Sequence, residues 1–422
     1  MTNKLSPIKI NLIIFLSFFL VRYFFLIFGN YDNYELQPDS YWYSDQSDEV
    51  LKGNFNLLRP LFITSPFFTY YQAIIKLIFG DYWEIILEFS QVSIASISAI
   101  YFYRLGLILF KNKKVSFFAL TIFCFYPFTF WYVGAFTQDI WFQSFLIIFM
   151  FYFSMYLKNF NIKNLIFSAI IFSITFLTKS HILIFSVFIP LVIFFIKYNE
   201  LKKKILHIIL FTSICLICTL PYGLYNLKVN GVYVFSSNGF GGLFILGHNE
   251  DAYVNHIKTP KIDSDEAKRL KSVDYRILNS LESKILESSP SEAQKIYFNE
   301  GLKWIKDNPK KSKELLIFNF KRFFTPGLHK SWYNYNTWLL SVILSSPVMI
   351  FGYLGLLMVL LNNFNRYSWI LYLFLSLLLF SLIFYYQGRF KVITLEPILI
   401  LLSAYSFHKI MIIKFLSNVR FK

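Results

Sequence analysis

Charged side chains are scarce in this sequence of 422 residues. Only 15% of its residues are Asp, Glu, Lys or Arg, whereas soluble domains carry about 25%. The hydrophobic fraction is 56%, the aromatic fraction is 21%, and Phe alone accounts for 52 residues. So few charges cannot cover a globular surface of this size, which argues against a soluble enzyme, a disordered tail and a coiled coil. The composition instead predicts an all-α polytopic membrane protein.

Cysteine is also rare, which excludes a disulfide framework. The three cysteines, Cys124, Cys215 and Cys218, all lie within apolar runs. The last two form a C-x-x-C pattern, but no second pair accompanies it. Inside a hydrophobic segment this pattern is typical of packing rather than of metal or redox chemistry.

Long hydrophobic runs dominate the rest of the chain. A membrane-spanning helix needs about 20 predominantly apolar residues. The N-terminal apolar run is longer than that of a signal sequence and has no clear small-residue cleavage site, so we interpret it as a retained first span. We predict ten spans, at 8–29, 83–110, 115–134, 139–157, 163–179, 181–197, 205–225, 338–361, 368–386 and 392–412.

The net charge of +17 is distributed unevenly between the connections. If the N-terminus is cytoplasmic, the inner connections are basic and nearly free of acid, as cytoplasmic loops usually are. Their basic residues are Lys111, Lys113, Lys114, Lys158, Lys163, Lys197, Lys202, Lys203, Lys204, Arg366, Lys409, Lys414, Arg420 and Lys422. The outer connections hold most of the acids. We therefore expect a multi-pass protein of the inner (plasma) membrane with both termini cytoplasmic, and not a nucleic-acid-binding protein.

Two outer segments are too long to be simple connectors. The first, residues 30–82, includes an apolar stretch at 66–79 that is shorter than a span and suits an interfacial helix. The second, residues 226–337, has ordinary soluble composition and predicts a small extracytoplasmic helical lobe. The chain thus divides into an N-terminal transmembrane catalytic half at 1–225, this lobe, and C-terminal transmembrane helices at 338–422.

Local signals within the lobe indicate helices. Ser289-Pro290-Ser291-Glu292 is a capping box with proline at the first helical position. Asn308-Pro309 predicts a second helix that runs to Phe324. We interpret the glycine-rich stretch at 238–242 as a turn, because it lacks the preceding strand that a phosphate-binding loop requires.

Ionisable residues at the outer membrane edge are candidates for function, because burying them is costly. Two acids and several bases, far apart in the sequence, are predicted to lie on this side at one depth. The candidates are Asp39, Arg59, Asp139, Lys179, His181, Arg389, Lys391 and Glu396.

A family resemblance rests on several of these residues. Asp39-x-x-x-Tyr43, followed after nine residues by Gly53, resembles the first-loop motif of polytopic glycosyltransferases with the GT-C fold. The closer similarity is to the bacterial branch related to dolichyl-phosphate-mannose protein mannosyltransferases and to lipid A aminoarabinose transferases.

Further matches follow in order along the chain, and the resemblance runs from the first span to the last. Phe390 stands where the family has Tyr, and Asp139 stands where it often has Glu. The matching elements are Arg59-Pro60, Ser65-Pro66 with Phe79-Gly80, Gln138-Asp139, Phe176 to Lys179, Ser237 to Asn249, and Arg389 to Lys391 with Glu396-Pro397.

The resemblance implies a GT-C-like bundle of about ten transmembrane helices that moves a sugar from a polyprenyl-phosphate donor to a lipid, glycan or protein acceptor on the periplasmic face. A carboxylate such as Asp39 can accept the acceptor's proton, and one base with direct displacement implies inversion. Asp139 is expected to orient the acceptor, bind a divalent cation or pair with a basic residue. The expected ligands of the donor phosphate are Lys179, Arg389, Lys391 and Arg59, with secondary substrate contacts from Tyr43, Gln138, His181 and Glu396.

Two other classes of protein stay open. An O-antigen polymerase or ligase also has basic residues on the outer face, but would centre on Arg and His without the early Asp-x-x-x-Tyr element. A flippase or transporter for lipid-linked sugars predicts charges along a path through the middle of several spans, where this sequence has few.

Overall fold

The computed structural model is mostly helical in the parts of the chain that it describes. One isolated antiparallel bridge joins Leu58 and Ile63. The described residues are 6–29, 39–58, 63–196, 200–258, 280–281, 284–285, 288–330, 334–384 and 386–420. Side chains are described as far as residue 412.

Ten helices lie among the described residues up to Asn230. Short 3₁₀ turns at Gly80–Tyr82 and Ser180–Ile182 lead into α4 and α9, respectively. The helices are α1 (Pro7–Gly29), α2 (Asp39–Leu51), α3 (Pro66–Phe79), α4 (Trp83–Phe110), α5 (Lys113–Phe125), α6 (Pro127–Gly134), α7 (Asp139–Asn159), α8 (Ile162–Thr178), α9 (Leu183–Phe195) and α10 (Leu201–Asn230).

The second half contains the lobe and the C-terminal helices. The lobe includes a π-helical turn at Val254–Lys258. The helices are α11 (Phe240–Gly247), α12 (Glu250–Tyr253), α13 (Pro290–Asp307), α14 (Pro309–Phe324), α15 (Tyr335–Ile383), α16 (Gly388–Thr394) and α17 (Glu396–Arg420).

The predicted spans all coincide with apolar helices, although not all of these helices have full membrane length. By length and composition, five helical segments in the described chain could cross a bilayer, or up to seven if each of two bent pairs counts as one span. The 49-residue α15 contains two predicted spans, separated at Asn363, whose backbone is not helical. Helix α8 has 17 residues, or roughly 25 Å at about 1.5 Å per residue, and α9 is shorter.

Two predicted spans are broken rather than continuous. The span expected at 115–134 bends by 53° between α5 and α6, and the one expected at 392–412 bends by 60° between α16 and α17. A proline lies just after each break, Pro127 in the first case and Pro397 in the second. Because proline lacks the backbone N–H that would continue the helix, it favours an interruption at these positions. Helix α16 also begins at Gly388, within the stretch that we expected to be a connection.

Arg22 bridges the first of these breaks. Arg22 is 1% exposed, and its guanidinium donates to the Cys124 carbonyl (3.3 Å) and to Thr129 Oγ1 (3.1 Å). Its Cζ lies 3.4 Å from the centroid of the Phe18 ring. Arg22 therefore supplies a donor to backbone at the break, and it acts as a structural contact between α1 and the α5–α6 pair.

Small residues allow the C-terminal helices to approach closely. A Cβ atom on Gly355 of α15 would lie 2.2 Å from the Leu402 carbonyl oxygen of α17, and one on Gly352 would lie 2.9 Å from the Leu399 carbonyl oxygen. Only glycine fits at such contacts, which resemble the small-residue interfaces of membrane helices.

The predicted lobe helices are present, with one difference. The capping box at Ser289 and Glu292 forms as predicted. The glycine-rich stretch expected to be a turn instead begins α11. A Cβ on Gly241 would lie 2.0 Å from the Gln294 carbonyl oxygen, and the Gln294 side chain accepts hydrogen bonds from the N–H groups of Gly241 and Gly242. These glycines therefore serve close helix packing. The three-part domain division stays a prediction.

Candidate active site

Asp39 and Arg389 form an ion pair between opposite ends of the chain. Asp39 is the first residue of α2, where a carboxylate is favoured by the helix dipole, and Arg389 lies in α16. Arg389 Nη1 donates to Asp39 Oδ2 at 2.7 Å, and Arg389 Nε donates to Gln387 Oε1 at 2.9 Å. The pair is partly open to solvent, with 42% of the Asp39 side chain and 23% of the Arg389 side chain exposed. Both charged ends are thus available to a substrate.

Asp139 and Lys179 form a second ion pair, which is buried. Asp139 is the first residue of α7, and Lys179 directly follows α8. Lys179 Nζ donates to Asp139 Oδ1, and Thr137 Oγ1 donates to Asp139 Oδ2 at 3.1 Å. The Asp139 and Lys179 side chains are 1% and 8% exposed. An isolated buried charge is costly, and pairing together with a hydrogen bond offsets much of that cost.

The two pairs meet at the ring of Phe390. Lys179 Nζ lies 4.9 Å from the ring centroid and Arg389 Cζ lies 5.7 Å from it. Lys179 is also close enough to Arg389 and Asp39 for electrostatic interaction with both. We call Asp39, Asp139, Lys179 and Arg389, together with Phe390, the ion-pair cluster. The sequence predicted its four charged residues individually, and the fold brings them together.

Three secondary candidates lie around this cluster. His181 stacks on Phe390 at 4.8 Å between centroids, and its Nε2 is 2.9 Å from Thr394 Oγ1. Gln138 precedes Asp139 and has a buried Oε1 without a hydrogen-bond partner among the described residues. Tyr43 lies one turn after Asp39 in α2, with its ring edge-on to Phe68 at 5.2 Å.

Lys391 and Glu396 are directed away from the ion-pair cluster. Lys391 Nζ donates to the Thr325 carbonyl at 2.9 Å and lies 3.7 Å from Met349 Sδ. Glu396 interacts electrostatically with Lys391 and with Tyr126. Two adjacent residues of α16 therefore contact different groups: Phe390 belongs to the ion-pair cluster, and Lys391 lies outside it.

Several polar residues near these sites were not predicted from the sequence. Thr137 bonds to Asp139, while Arg322, Tyr353 and Tyr386 lie near Lys391 and Glu396. Their signal is weak, because single tyrosines are common in an aromatic-rich chain. The prolines after Tyr126 and Leu395 were the available clue, since broken helices in membrane proteins often mark polar sites.

Two predictions remain, the role of Arg59 and the binding of a divalent metal ion. Arg59 lies outside the described residues, so its role as a phosphate ligand stays a prediction. Within the described ranges, no group of three or more His, Cys, Asp or Glu side chains is arranged to hold a metal ion. The divalent cation considered for Asp139 therefore finds no ligand set in that part of the chain.

Comparison with known proteins identifies a family domain and a fold. Residues 63–225 match the family model described as dolichyl-phosphate-mannose-protein mannosyltransferase. No curated protein matches the chain in sequence.

Two solved structures of an oligosaccharyltransferase from Archaeoglobus fulgidus share the fold. The first, AglB in complex with an inhibitory peptide and a dolichol-phosphate, has a TM-score of 0.51 and 14% identity, and the match covers 97% of this chain and 52% of that chain. The second, tethered to an acceptor peptide containing the NVT sequon, has a TM-score of 0.55 and 14% identity, with 94% and 49% covered. This chain spans about half the length of those proteins.

The family match and the fold similarity agree with each other and with the motifs in the sequence. The family model covers α3 to α10, which contribute Asp139 and Lys179. The fold similarity extends over 97% of the chain in one of the two structures. The predicted resemblance is therefore confirmed: this chain has a GT-C-like all-α fold, and its residues 63–225 match the family model described as dolichyl-phosphate-mannose-protein mannosyltransferase.

Proposed function

We propose that this protein is a membrane glycosyltransferase that moves a sugar from a polyprenyl-phosphate-sugar donor to an acceptor on the extracytoplasmic face. The observation that carries the proposal is the ion-pair cluster, in which two carboxylates and two cations gather at one aromatic ring. The family match supports glycosyl transfer in general.

Asp39 is the proposed general base. Its carboxylate removes the proton of the acceptor hydroxyl or amine as the acceptor atom bonds to the anomeric carbon. The bond between that carbon and the phosphate oxygen breaks, and its electron pair leaves with the polyprenyl phosphate. A single displacement of this kind inverts the anomeric configuration. The ion pair with Arg389 holds the Asp39 carboxylate in a fixed position.

Lys179 and Arg389 are the proposed ligands of the donor phosphate. Negative charge grows on the leaving phosphate during the displacement, and fixed cations in a dry site stabilise it more than cations in water do. Asp139 holds Lys179 in position, which favours the pairing role over cation binding. Lys391 bonds to Thr325 instead, which makes it a weaker candidate for this phosphate.

The classes of donor and acceptor rest on comparison. One of the similar structures contains a dolichol-phosphate and an inhibitory peptide, and the other contains an acceptor peptide. These ligands belong to the archaeal protein, whose chain is about twice as long. We propose a polyprenyl-phosphate-linked sugar as donor for this chain, and a lipid, glycan or protein as acceptor in the inner membrane or at its outer face.

The direct test replaces Asp39 in the purified full-length protein. With a polyprenyl-phosphate-linked sugar donor, Asp39→Asn should lower the rate of transfer by 10²-fold or more, at the low end of what general acid–base groups contribute. Asp81→Asn is the matched control, because Asp81 is exposed in the 3₁₀ turn before α4. Full activity of Asp39→Asn would remove Asp39 as the base.

A further inference from the structure

Residues 236–248, which contain α11, contact the ends of two helices that lead to the cations of the ion-pair cluster. We call these residues the linking segment. The first helix end is that of α8, which Lys179 directly follows. The second is that of α15, which ends at Ile383, shortly before Arg389. One side chain of the linking segment bonds to each of these two helix ends.

Ser236 makes the contact at the end of α8. It is fully buried, and its hydroxyl donates to the Phe176 carbonyl at 2.7 Å. This carbonyl lies in the final turn of α8, where carbonyls have no partner within the helix. Ser65 Oγ lies 3.0 Å from Ser236 Oγ. Because a hydroxyl has one hydrogen and Ser236 gives its own to a carbonyl, Ser65 must donate to Ser236. The end of α8 is therefore joined through Ser236 to the residue that precedes α3.

His248 makes the contact at the end of α15. It is buried, its ring lies 4.5 Å from that of Phe244 between centroids, and its Nε2 atom lies 2.8 Å from the Ile383 carbonyl oxygen. A carbonyl only accepts hydrogen bonds, so His248 Nε2 carries the hydrogen and donates it. Ile383 is the last residue of α15, and its carbonyl also lacks a partner within its helix. His248 therefore fixes the start of the short connection that leads to Arg389.

The linking segment is itself fixed to the surrounding structure. Near its start, Asn238 exchanges two hydrogen bonds with the backbone of Ile63: the Ile63 N–H donates to Asn238 Oδ1 at 2.6 Å, and the Asn238 N–H donates to the Ile63 carbonyl at 3.2 Å. At the start of α11, the N–H groups of Gly241 and Gly242 donate to Gln294 Oε1 at 2.9 and 3.1 Å. A segment fixed in this way can hold the two helix ends at a constant separation.

The two cations that follow these helix ends need such support. Lys179 Nζ and Arg389 Cζ lie 4.9 and 5.7 Å from the centroid of the same Phe390 ring. Like charges at such short range repel each other, and more strongly where little water screens them. Helix ends that were free to move would let the two cations separate, so a phosphate would have to bring them back together.

We propose that the linking segment positions the two cations that bind the donor phosphate, an inference that rests on the proposed function. Ser236 positions Lys179 through the end of α8. His248 positions Arg389 through the end of α15. Both are positioning residues, because they act through main-chain carbonyls rather than on the substrate. Without these hydrogen bonds the helix ends would become ordered only when the phosphate binds, and the cost of that ordering would lower the affinity.

The test measures the binding of sugar-free polyprenyl phosphate to the purified full-length protein. Ser236→Ala removes the donor at the end of α8, and His248→Phe keeps an aromatic ring but removes the donor at the end of α15. We expect each variant to bind the lipid roughly threefold to tenfold more weakly, as the loss of one hydrogen bond gives. Ser406→Ala is the matched control and should leave the affinity unchanged. Ser406 is also buried and donates to a carbonyl of another helix, that of Phe351 at 2.6 Å, outside the ion-pair cluster.

Double variants distinguish positioning from a general loss of structure. If Ser236 acts through Lys179, Ser236→Ala should change the affinity by less than about twofold when Lys179→Ala is already present. His248→Phe should likewise have little effect when Arg389→Ala is present. Residues that act independently would show the same loss in both backgrounds. Ser236→Thr, which retains a hydroxyl, should recover most of the affinity that Ser236→Ala loses.

Each positioning role is judged by its own single and double variants. Unchanged affinity in the single variant, or a loss of the same size in the double variant, would overturn that role while the proposed function stands. An equal loss in Ser406→Ala would also overturn it, because removal of any buried hydroxyl would then explain the effect. Should Ser236→Ala not fold, His248→Phe and its double variant decide the proposal. If the wild type does not bind the lipid, the proposed function fails as well.

Discussion

Each acid of the ion-pair cluster has a basic partner from a distant part of the sequence. Asp39 and Arg389 are separated by 350 residues, and Asp139 and Lys179 by 40. The buried pair of Asp139 and Lys179 is weak evidence for stability, because desolvation can cancel the attraction between the charges. Its clearest effect is to hold charged groups at fixed positions, as a site that must meet developing charge requires.

Lys179 provides the prediction at the scale of single residues. Lys179→Ala should raise the Michaelis constant for a polyprenyl-phosphate-sugar donor by about tenfold or more, because a charge-assisted contact to phosphate is lost. The constant for the acceptor should change much less. Steady-state kinetics with each substrate varied in turn would measure both, and Lys179→Arg should retain part of the donor affinity.

Lys76 offers a matched control for this experiment. It is largely buried and pairs with Asp48 at 2.6 Å, outside the ion-pair cluster. If Lys76→Ala leaves the ratio of the two constants unchanged while Lys179→Ala shifts it, loss of a buried lysine and its ion pair alone cannot explain the effect. Equal weakening of donor and acceptor use by Lys179→Ala would argue against a phosphate role.

At the scale of elements, helix breaks matter more than helix lengths. Hydrophobic runs predicted where apolar helices lie, since burial of apolar side chains sets their extent. The bends at Tyr126 and Leu395 were not predicted, although Pro127 and Pro397 signalled an interruption. A proline in the sequence indicates that one backbone hydrogen bond of the helix is missing. The direction of the resulting bend depends on the helices that pack around the break.

The outer lobe provides the prediction at this scale. His256, in the π-helical turn, packs against Phe318 at 5.1 Å and near His329 at 6.4 Å between centroids. Burial, with the charge of Arg322 nearby, lowers the pKa of His256 and of His329 to about 4. An opened lobe would take up protons near pH 6.5, whereas the folded lobe would do so only near pH 4.

The lobe should therefore lose stability as the pH falls from about 6.5 towards 4, by at most about 1.4 kcal/mol per pH unit for each histidine. Hydrogen exchange of backbone amides in α11 to α14, corrected for intrinsic rates, would measure the opening free energy. His256→Phe should flatten this dependence, and amides of the buried α7 serve as the internal reference. A lobe whose opening free energy is constant over this range would contradict the prediction.

Orientation is the property of the whole molecule on which the proposed site depends. Basic connections are predicted to be cytoplasmic, and the ion-pair cluster then lies at the outer face. A topology reporter fused at residue 260 should read as extracytoplasmic, and one fused at Asn112, between α4 and α5, should read as cytoplasmic. The opposite result would assign the cluster to the side with nucleotide sugars and overturn the choice of a lipid-linked donor.

The sequence supported predictions about several parts of the fold and site. Scarcity of charge predicted a helical membrane protein, and motif order predicted the GT-C resemblance. Asp39, Asp139, Lys179 and Arg389 were identifiable because charges are rare beside apolar runs. Arg322 and Tyr386 were not, because their positions near Lys391 follow from packing that only coordinates reveal.

The sequence by itself determined which segments are apolar helices and which charges lie at their ends, because both follow from the free energy of burying side chains locally along the chain. Only the tertiary structure decided that Asp39 pairs with Arg389, that Asp139 pairs with Lys179, and that Phe390 and Lys391 contact different groups. The physical reason is that pairing depends on packing between helices distant in sequence, which the local pattern of polarity does not specify.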